Sequence, residues 1–320
     1  MSSVPDPMLA PMGSPSWFVE ALQAPCDRGR VAVDGAEVAW LAWGSRGDPT
    51  LVLVHGGAAH ARWWSAIGPS LARNHRVVAV DLSGHGDSDR RDRYDAAQWA
   101  EEILAAAEDA GEGGRPLVVG HSMGGFITIV LAANHGDALA GAVILDAPLR
   151  RPDPESEEGR DGRMFRQPKT YPDLATGMEH FYLVPPQPCE NVWLLEYIAR
   201  QSLTETRTGW TWKFDPRVFT ARAGLSHPSQ FAPQLARAGC RMAVVNGERS
   251  AIVDDSVREH MAELLAGAPA AAAGVPMLEV PEAHHHLLLD QPLAVVTAVR
   301  GVLAAWRPIG QAPAEVTSQR

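Results

Sequence analysis

The chain has 320 residues, 46% of them hydrophobic, and a formal net charge of −10. That length accommodates one large α/β domain or two small ones with a sizeable core, and the acidic balance argues against nucleic acid or an anionic membrane surface as partner. Three widely spaced cysteines, Cys26, Cys189 and Cys240, lack metal-ligand spacing and suggest reduced thiols; with no secretory-signal pattern and no apolar run of the ~18–20 residues that cross a bilayer, a cytoplasmic protein is expected.

Residues 1–28 read as an N-terminal leader, with four prolines among the first sixteen residues and a short docking helix over 17–22. Two strand-like stretches follow, 29–33 and 37–43, separated by Asp34-Gly35, a strong hairpin signal. Residues 50–54 are near-continuously apolar and end in His55-Gly56-Gly57, as expected of a strand buried on both faces of a parallel sheet. A helix is predicted over 59–73, with Trp63, Trp64, Ile67 and Leu71 near one face. Residues 76–80 form another buried strand, which ends in the Gly- and Asp-rich loop 81–89. A helix pattern covers 95–110. The apolar run Pro116-Leu117-Val118-Val119 then reads as a strand, Gly120-His121-Ser122-Met123-Gly124 as a sharp turn, and 125–133 as a helix. Residues 141–145 are the next strand, ending in Asp146-Ala147-Pro148.

A hairpin followed by repeated strand–helix alternation implies an α/β fold with a mostly parallel, doubly wound sheet. The regularity breaks near residue 149. Residues 150–163 are charged and Pro-rich, an exposed loop by composition. Short helical patterns from 164 to about 225 carry Phe165, Phe181, Tyr182, Trp193, Tyr197, Trp210, Trp212 and Phe214. Together 150–230 reads as a helical cap inserted between two parts of the core, 29–149 and 231–306. In the second part a strand is expected at 240–245, a helix at 254–266, a strand at 276–280 and a helix at 292–306. Residues 307–320 read as a disordered tail.

Strand, G-x-S-x-G and helix in this order form a nucleophile elbow. The turn lifts a serine hydroxyl, here that of Ser122, clear of the sheet at the positive end of the next helix. Gly120 and Gly124 are needed where strand and helix pass closely. Taken with His55-Gly56-Gly57, Gly84-His85-Gly86-Asp87-Ser88 and a late histidine before Leu289-Asp290-Gln291-Pro292, the motif resembles the α/β-hydrolase superfamily over residues 30–306. More narrowly, it resembles the lidded branch of esterases, haloperoxidase-like enzymes and meta-cleavage-product hydrolases.

That resemblance implies a serine hydrolase with Ser122 as nucleophile. A serine hydroxyl needs a base within hydrogen-bond reach. The base is expected in the loop after the last strand, where His284, His285 and His286 stand; the family spacing, seven residues before the proline of the Asp-Gln-Pro signature, selects His285. The usual acid position after the strand at 242–246 is occupied by Ser250, which carries no charge. Asp146 at the preceding strand end is the favoured acid, by its short rigid tether. Asp254 is the runner-up, although Asp254-Asp255-Ser256 also suits a helix N-cap, and Glu248 is third. The oxyanion hole is assigned to the N–H groups of Gly57 and Met123. His55, His85 and His121 are expected to hold loops, and His60 either lines a pocket or lies on the surface.

The expected substrate is a small or medium apolar ester, lactone or thioester, bound under the cap aromatics, with carboxylesterase-like chemistry and no cofactor or metal. A homo-oligomer is compatible with the sequence. C–C bond hydrolysis or cofactor-free dioxygenation on the same fold is the alternative chemistry. A non-catalytic ligand-binding receptor is the alternative of another class.

Overall fold

Asp34 and Gly35 both take positive φ, 45° and 78°, the turn geometry that matches the right-handed twist of a two-residue hairpin. Strand β1 (Asp27–Val33) thereby folds back antiparallel on β2 (Ala36–Trp43). The computed structural model describes residues 10–151, 168–219 and 228–306. The remaining strands in chain order are β3 (Thr50–Val54), β4 (Arg76–Val80), β5 (Leu117–His121), β6 (Gly141–Leu145), β7 (Leu203–Thr206), β8 (Gly209–Trp212), β9 (Met242–Gly247) and β10 (Met277–Val280). Eight of them form one sheet in the order β1-β2-β4-β3-β5-β6-β9-β10, parallel from β4 through β10. β7 and β8 pair separately.

The helices are α1 (Ser16–Gln23), α2 (Gly68–Leu71), α3 (Ala96–Ala110), α4 (Met123–Asn134), α5 (Leu174–Met178), α6 (Val192–Gln201), α7 (Ala232–Leu235), α8 (Asp255–Ala266), α9 (Leu287–Asp290) and α10 (Pro292–Ala305). They cover both faces of the sheet. Val52, Val54, Val78, Val80 and Ile144 point toward α3, α4 and α8, whereas Leu51, Leu53, Val77, Val143 and Leu145 point toward α10 and the Trp63–Trp64 pair. Alternate residues of each strand are therefore buried on opposite faces, which is why the central strands are apolar throughout. No helix among the described residues is long and apolar enough to cross a membrane.

Two expected elements differ. The predicted helix over 59–73 is a 3₁₀ turn, Ala61–Trp64, and the short α2. Pro69 has no N–H to continue a helix, and its ring would crowd the carbonyl one turn back. Gly68 also lies flat on the Trp43 ring, where a Cβ would come within 2.6 Å. Between β6 and β9 the described residues hold α5, α6, the β7–β8 hairpin and α7, so part of the predicted helical stretch is β-structure. Thr204, Thr206, Trp210 and Trp212 at alternate positions favour a pleated surface, and Arg207–Thr208 form the two-residue turn before Gly209, which opens β8 at φ 130°. Residues 1–9 of the expected leader 1–28, most of the loop at 150–163, Phe165 and the tail at 307–320 lie outside the described residues.

Candidate active site

Ser122 links β5 to α4 at φ 54° and ψ −119°, a left-handed conformation that a serine adopts only under constraint. Its N–H donates to Leu145 O at 2.9 Å, and its carbonyl accepts the Gly125 N–H at 2.8 Å. The close approach of strand and helix explains the glycines. A Cβ at 120 would lie 2.2 Å from Gly124 O, and one at 124 would lie 2.5 Å from Val54 O. Because Ser122 precedes α4, it sits at the positive end of that helix, whose Met123 and Gly124 N–H groups have no partner within the helix.

Asp146 follows β6 directly and also takes positive φ, 45°. Its N–H donates to Val245 O at 2.9 Å, so the chain end of β6 is tied to β9. The carboxylate is fully buried and accepts three hydrogen bonds. Oδ2 takes the Gly247 N–H at 2.8 Å, and Oδ1 takes both the Ser250 hydroxyl at 2.7 Å and His285 Nδ1 at 2.8 Å. The opposite ring nitrogen, His285 Nε2, lies 3.0 Å from Ser122 Oγ. A carboxylate only accepts, so the network places the His285 proton on Nδ1 and leaves the Nε2 lone pair facing the serine hydroxyl. The structure thus brings Ser122, His285 and Asp146 into one continuous hydrogen-bonded chain.

The neighbouring histidines are used otherwise. His284 directs its N–H and Nδ1 to Asp290 Oδ2, at 2.7 and 3.2 Å. The His286 N–H donates to Gln187 Oε1 at 2.7 Å, while Gln187 Nε2 binds both oxygens of Asp290. Asp290 and Gln187 therefore clamp the 284–286 loop and leave only His285 reaching the serine. The other acids are engaged elsewhere. Asp254 accepts the Val257 N–H at the start of α8, Asp255 pairs with Arg258, and Glu248 accepts the Glu282 N–H.

His55, His85 and His121 are buried in the surrounding loops. His55 accepts the Leu82 N–H on Nε2 and donates from Nδ1 to Gly56 O, the pattern of a neutral ring; burial holds it down to about 4. His121 donates from Nε2 to His285 O at 2.9 Å. Burial first, and the neighbouring His285 second, lower it to about 3. His85 packs against the His55 and Phe219 rings. His60 is buried, with Nε2 2.9 Å from Ser202 Oγ, so it is not a surface residue. Asp81 accepts the N–H groups of Ala61 and Asp87, yet burial outweighs them and raises its carboxyl to about 6.

A cavity of about 420 Å³ opens between this end of the sheet and the segment 168–219. Gly57, Trp63 and His286 line it from the sheet side, and Phe181, Trp212 and Phe214 from the facing segment. A Cβ at Gly57 would lie 2.8 Å from the Phe219 ring and 3.8 Å from Met123 Sδ, so the Met123 side chain packs beside Gly57. Among the described residues, His121, His285 and His286 are the group with ring nitrogens close enough for a shared metal. Both His285 nitrogens are committed to Asp146 and Ser122, and His121 Nε2 to a carbonyl, which leaves that set ill-suited to a resident ion. Two residues of the site escaped the sequence reading: Gln187, for which no local signal exists, and Ser250, read only as an uncharged residue at the usual acid position.

Comparison with known proteins adds four findings. A model of the Alpha/beta hydrolase family matches residues 51–299. An esterase of Mycobacterium tuberculosis is 28% identical over 278 residues, spanning 85% of this chain and 88% of its own length. A pyrethroid hydrolase of Sphingobium wenxiniae is 36% identical over 108 residues, 32% of this chain and 37% of that protein. Among solved structures, E-2-(acetamidomethylene)succinate hydrolase superposes with a TM-score of 0.71 at 20% identity, covering 87% of this chain and 99% of that one. At that identity the likeness concerns the fold.

Proposed function

The chain belongs to the alpha/beta hydrolase family, and from that premise we propose that it is a serine hydrolase cleaving a small-to-medium apolar carboxylic ester. The observation that carries this reading is the position of His285, 3.0 Å from Ser122 Oγ on one side and 2.8 Å from Asp146 on the other. The esterase among the relatives, which this chain matches over 85% of its length, supports ester cleavage.

Ser122 Oγ attacks the substrate carbonyl carbon while its proton passes to His285 Nε2. Asp146 stabilises the imidazolium and keeps the ring in the tautomer that can accept. The negative oxygen of the tetrahedral intermediate is held by the N–H groups of Met123 and Gly57. Met123 is the first residue of α4, so its N–H has no partner within the helix. Collapse breaks the bond to the alcohol, which leaves with the proton from His285. A water then gives its proton to His285, attacks the acyl carbon and releases the acid from Ser122. The aromatic wall formed by Trp63, Phe181, Trp212 and Phe214 suits an apolar acyl or alcohol group.

The test is hydrolysis of p-nitrophenyl esters of graded chain length by the wild type and by Ser122→Ala. Loss of at least ~10³-fold in kcat is expected for the variant. Equal, slow hydrolysis by both proteins would sink the proposal.

A further inference from the structure

Ser250 lies in the turn after β9, and its hydroxyl and N–H are both engaged around Asp146. The Ser250 hydroxyl oxygen faces the N–H groups of Ile252 at 3.4 Å and Val253 at 3.2 Å. Those donors occupy its lone pairs, so its proton is directed to Asp146 Oδ1 at 2.7 Å. The Ser250 N–H donates to Gly247 O at 3.2 Å, and the Gly247 N–H reaches the other carboxylate oxygen at 2.8 Å. One tight turn therefore grips Asp146 by both oxygens. With each oxygen held by a separate donor, the carboxylate cannot rotate about Cβ–Cγ without breaking a hydrogen bond. Its plane is thereby fixed for His285 Nδ1, which binds the same oxygen as Ser250.

We infer that Ser250 is a positioning residue, acting on the reaction solely through Asp146 by fixing the carboxylate plane that orients His285. The inference rests on the reading of Asp146 as the acid of the relay. It also differs from a merely structural role, because a hydroxyl that only closed the turn would affect the enzyme whatever stood at 146.

A double-mutant cycle on kcat for a p-nitrophenyl ester separates the two, using the wild type, Ser250→Ala, Asp146→Asn and the double variant. With Asp146 in place, loss of the hydroxyl is expected to lower kcat about tenfold, a size typical of slight misplacement of a catalytic group. In the Asp146→Asn background it is expected to lower kcat less than about twofold, since coupled residues are non-additive. Ser250→Thr, which keeps the hydroxyl, restores most of the loss. Equal factors in the two backgrounds, or Ser250→Ala within about twofold of wild type, overturn the inference while leaving the proposed hydrolysis intact. A near-wild-type Asp146→Asn overturns it together with the role given to Asp146. If the alanine variant does not fold, Ser250→Cys replaces it in the cycle, because a thiol of similar size is a weak donor.

Discussion

At the C-terminal ends of β5 and β6, Ser122 and Asp146 leave the sheet immediately after a buried strand, whereas the facing segment 168–219 reaches the cavity lined by Gly57, Trp63 and His286 through two short helices and a hairpin. The sheet end fixes its side chains through the backbone. Both residues sit at positive φ, and both N–H groups are tied to the neighbouring strand. The facing segment places its side chains by packing: Trp212 lies edge-on to Tyr171 and tilted against Phe181, each at 6.0 Å. A few long-range ties, such as Gln187 to Asp290 and Asn191 to Leu289 O, anchor it to the core. Rigid tethers suit groups that must meet within hydrogen-bond distance. A packed aromatic wall suits a surface that need only exclude water and match shape. Changes at the sheet end should therefore act on kcat, and changes in the facing segment on which substrate is used.

The largest effect is expected at Asp146. Asp146→Asn keeps the shape but removes the charge and invites the wrong His285 tautomer, so kcat should fall by ~10³–10⁴-fold. A KM change of less than about threefold is expected, because the carboxylate touches His285 and not the substrate. Steady-state kinetics with one ester decides it. A variant altered mainly in KM would erase the distinction between the two regions.

The next effect concerns stability and acid. His55 and His121 are buried and lowered from 6.5 to about 4 and about 3. Below pH 6.5 the unfolded chain takes up protons that these folded rings refuse, so stability is lost as pH falls toward 4 and 3. Each ring accounts for roughly 3–5 kcal/mol at the acid limit. His60, His85 and His286, also lowered by burial, act in the same direction. Asp81 opposes them. Its carboxyl is raised to about 6, so the folded state binds that proton first and regains on the order of 3 kcal/mol as pH falls through 6 toward 3.8. Glu102 and Asp290, also raised by burial, act with Asp81, but the five lowered rings outnumber the three carboxyls, and the melting temperature should drop from pH 7 to pH 4. Calorimetry showing a flat profile over that interval would mean that these rings are not held neutral.

The sheet end was the more legible region, for physical reasons. Buried parallel strands leave continuous apolar runs, and a strand ending in Asp-Gly, Gly-x-Ser-x-Gly or Leu-Asp carries its own turn signal. These local features located Ser122 and Asp146, whereas the 284–286 run was located by the family resemblance. Only the family spacing singled out His285 from its neighbours, since its physical distinction depends on Asp290 taking His284 and Gln187 holding the His286 N–H, contacts up to 99 residues apart. The Ser250–Asp146 bond spans 104 residues and has no local mark. In the facing segment the aromatic residues masked the Thr-rich alternation of β7 and β8. At 59–73 the apolar pattern had helical period, but Pro69 split the element.

A smaller effect is expected in the aromatic wall. Trp212→Ala removes a half-buried ring from the cavity side, about 1–2 kcal/mol of contact with a long or aromatic group. kcat/KM for p-nitrophenyl octanoate should fall about tenfold, while that for the acetate stays within about twofold. Equal losses on both esters would mean that the facing segment also sets the geometry of the relay.

The smallest effect is expected at Asp254, the other acid that the sequence offered. Its side chain accepts the Val257 N–H at 3.0 Å as the N-cap of α8, while Asp146 occupies His285 Nδ1. Asp254→Ala should therefore remove a cap worth about 1 kcal/mol. In a chain of this size that lowers the melting temperature by roughly 1–2 °C. kcat should stay within about twofold, since a lost cap frays one helical turn and leaves the His285 hydrogen bonds intact. Thermal melting and steady-state kinetics on one preparation separate the two roles. A collapse of kcat with an unchanged melting point would transfer the acid from the rigid end of β6 to the start of α8. Asp146 would then be an anchor for the 247–250 turn, and the tight backbone tethering of the sheet end would no longer explain how His285 is oriented.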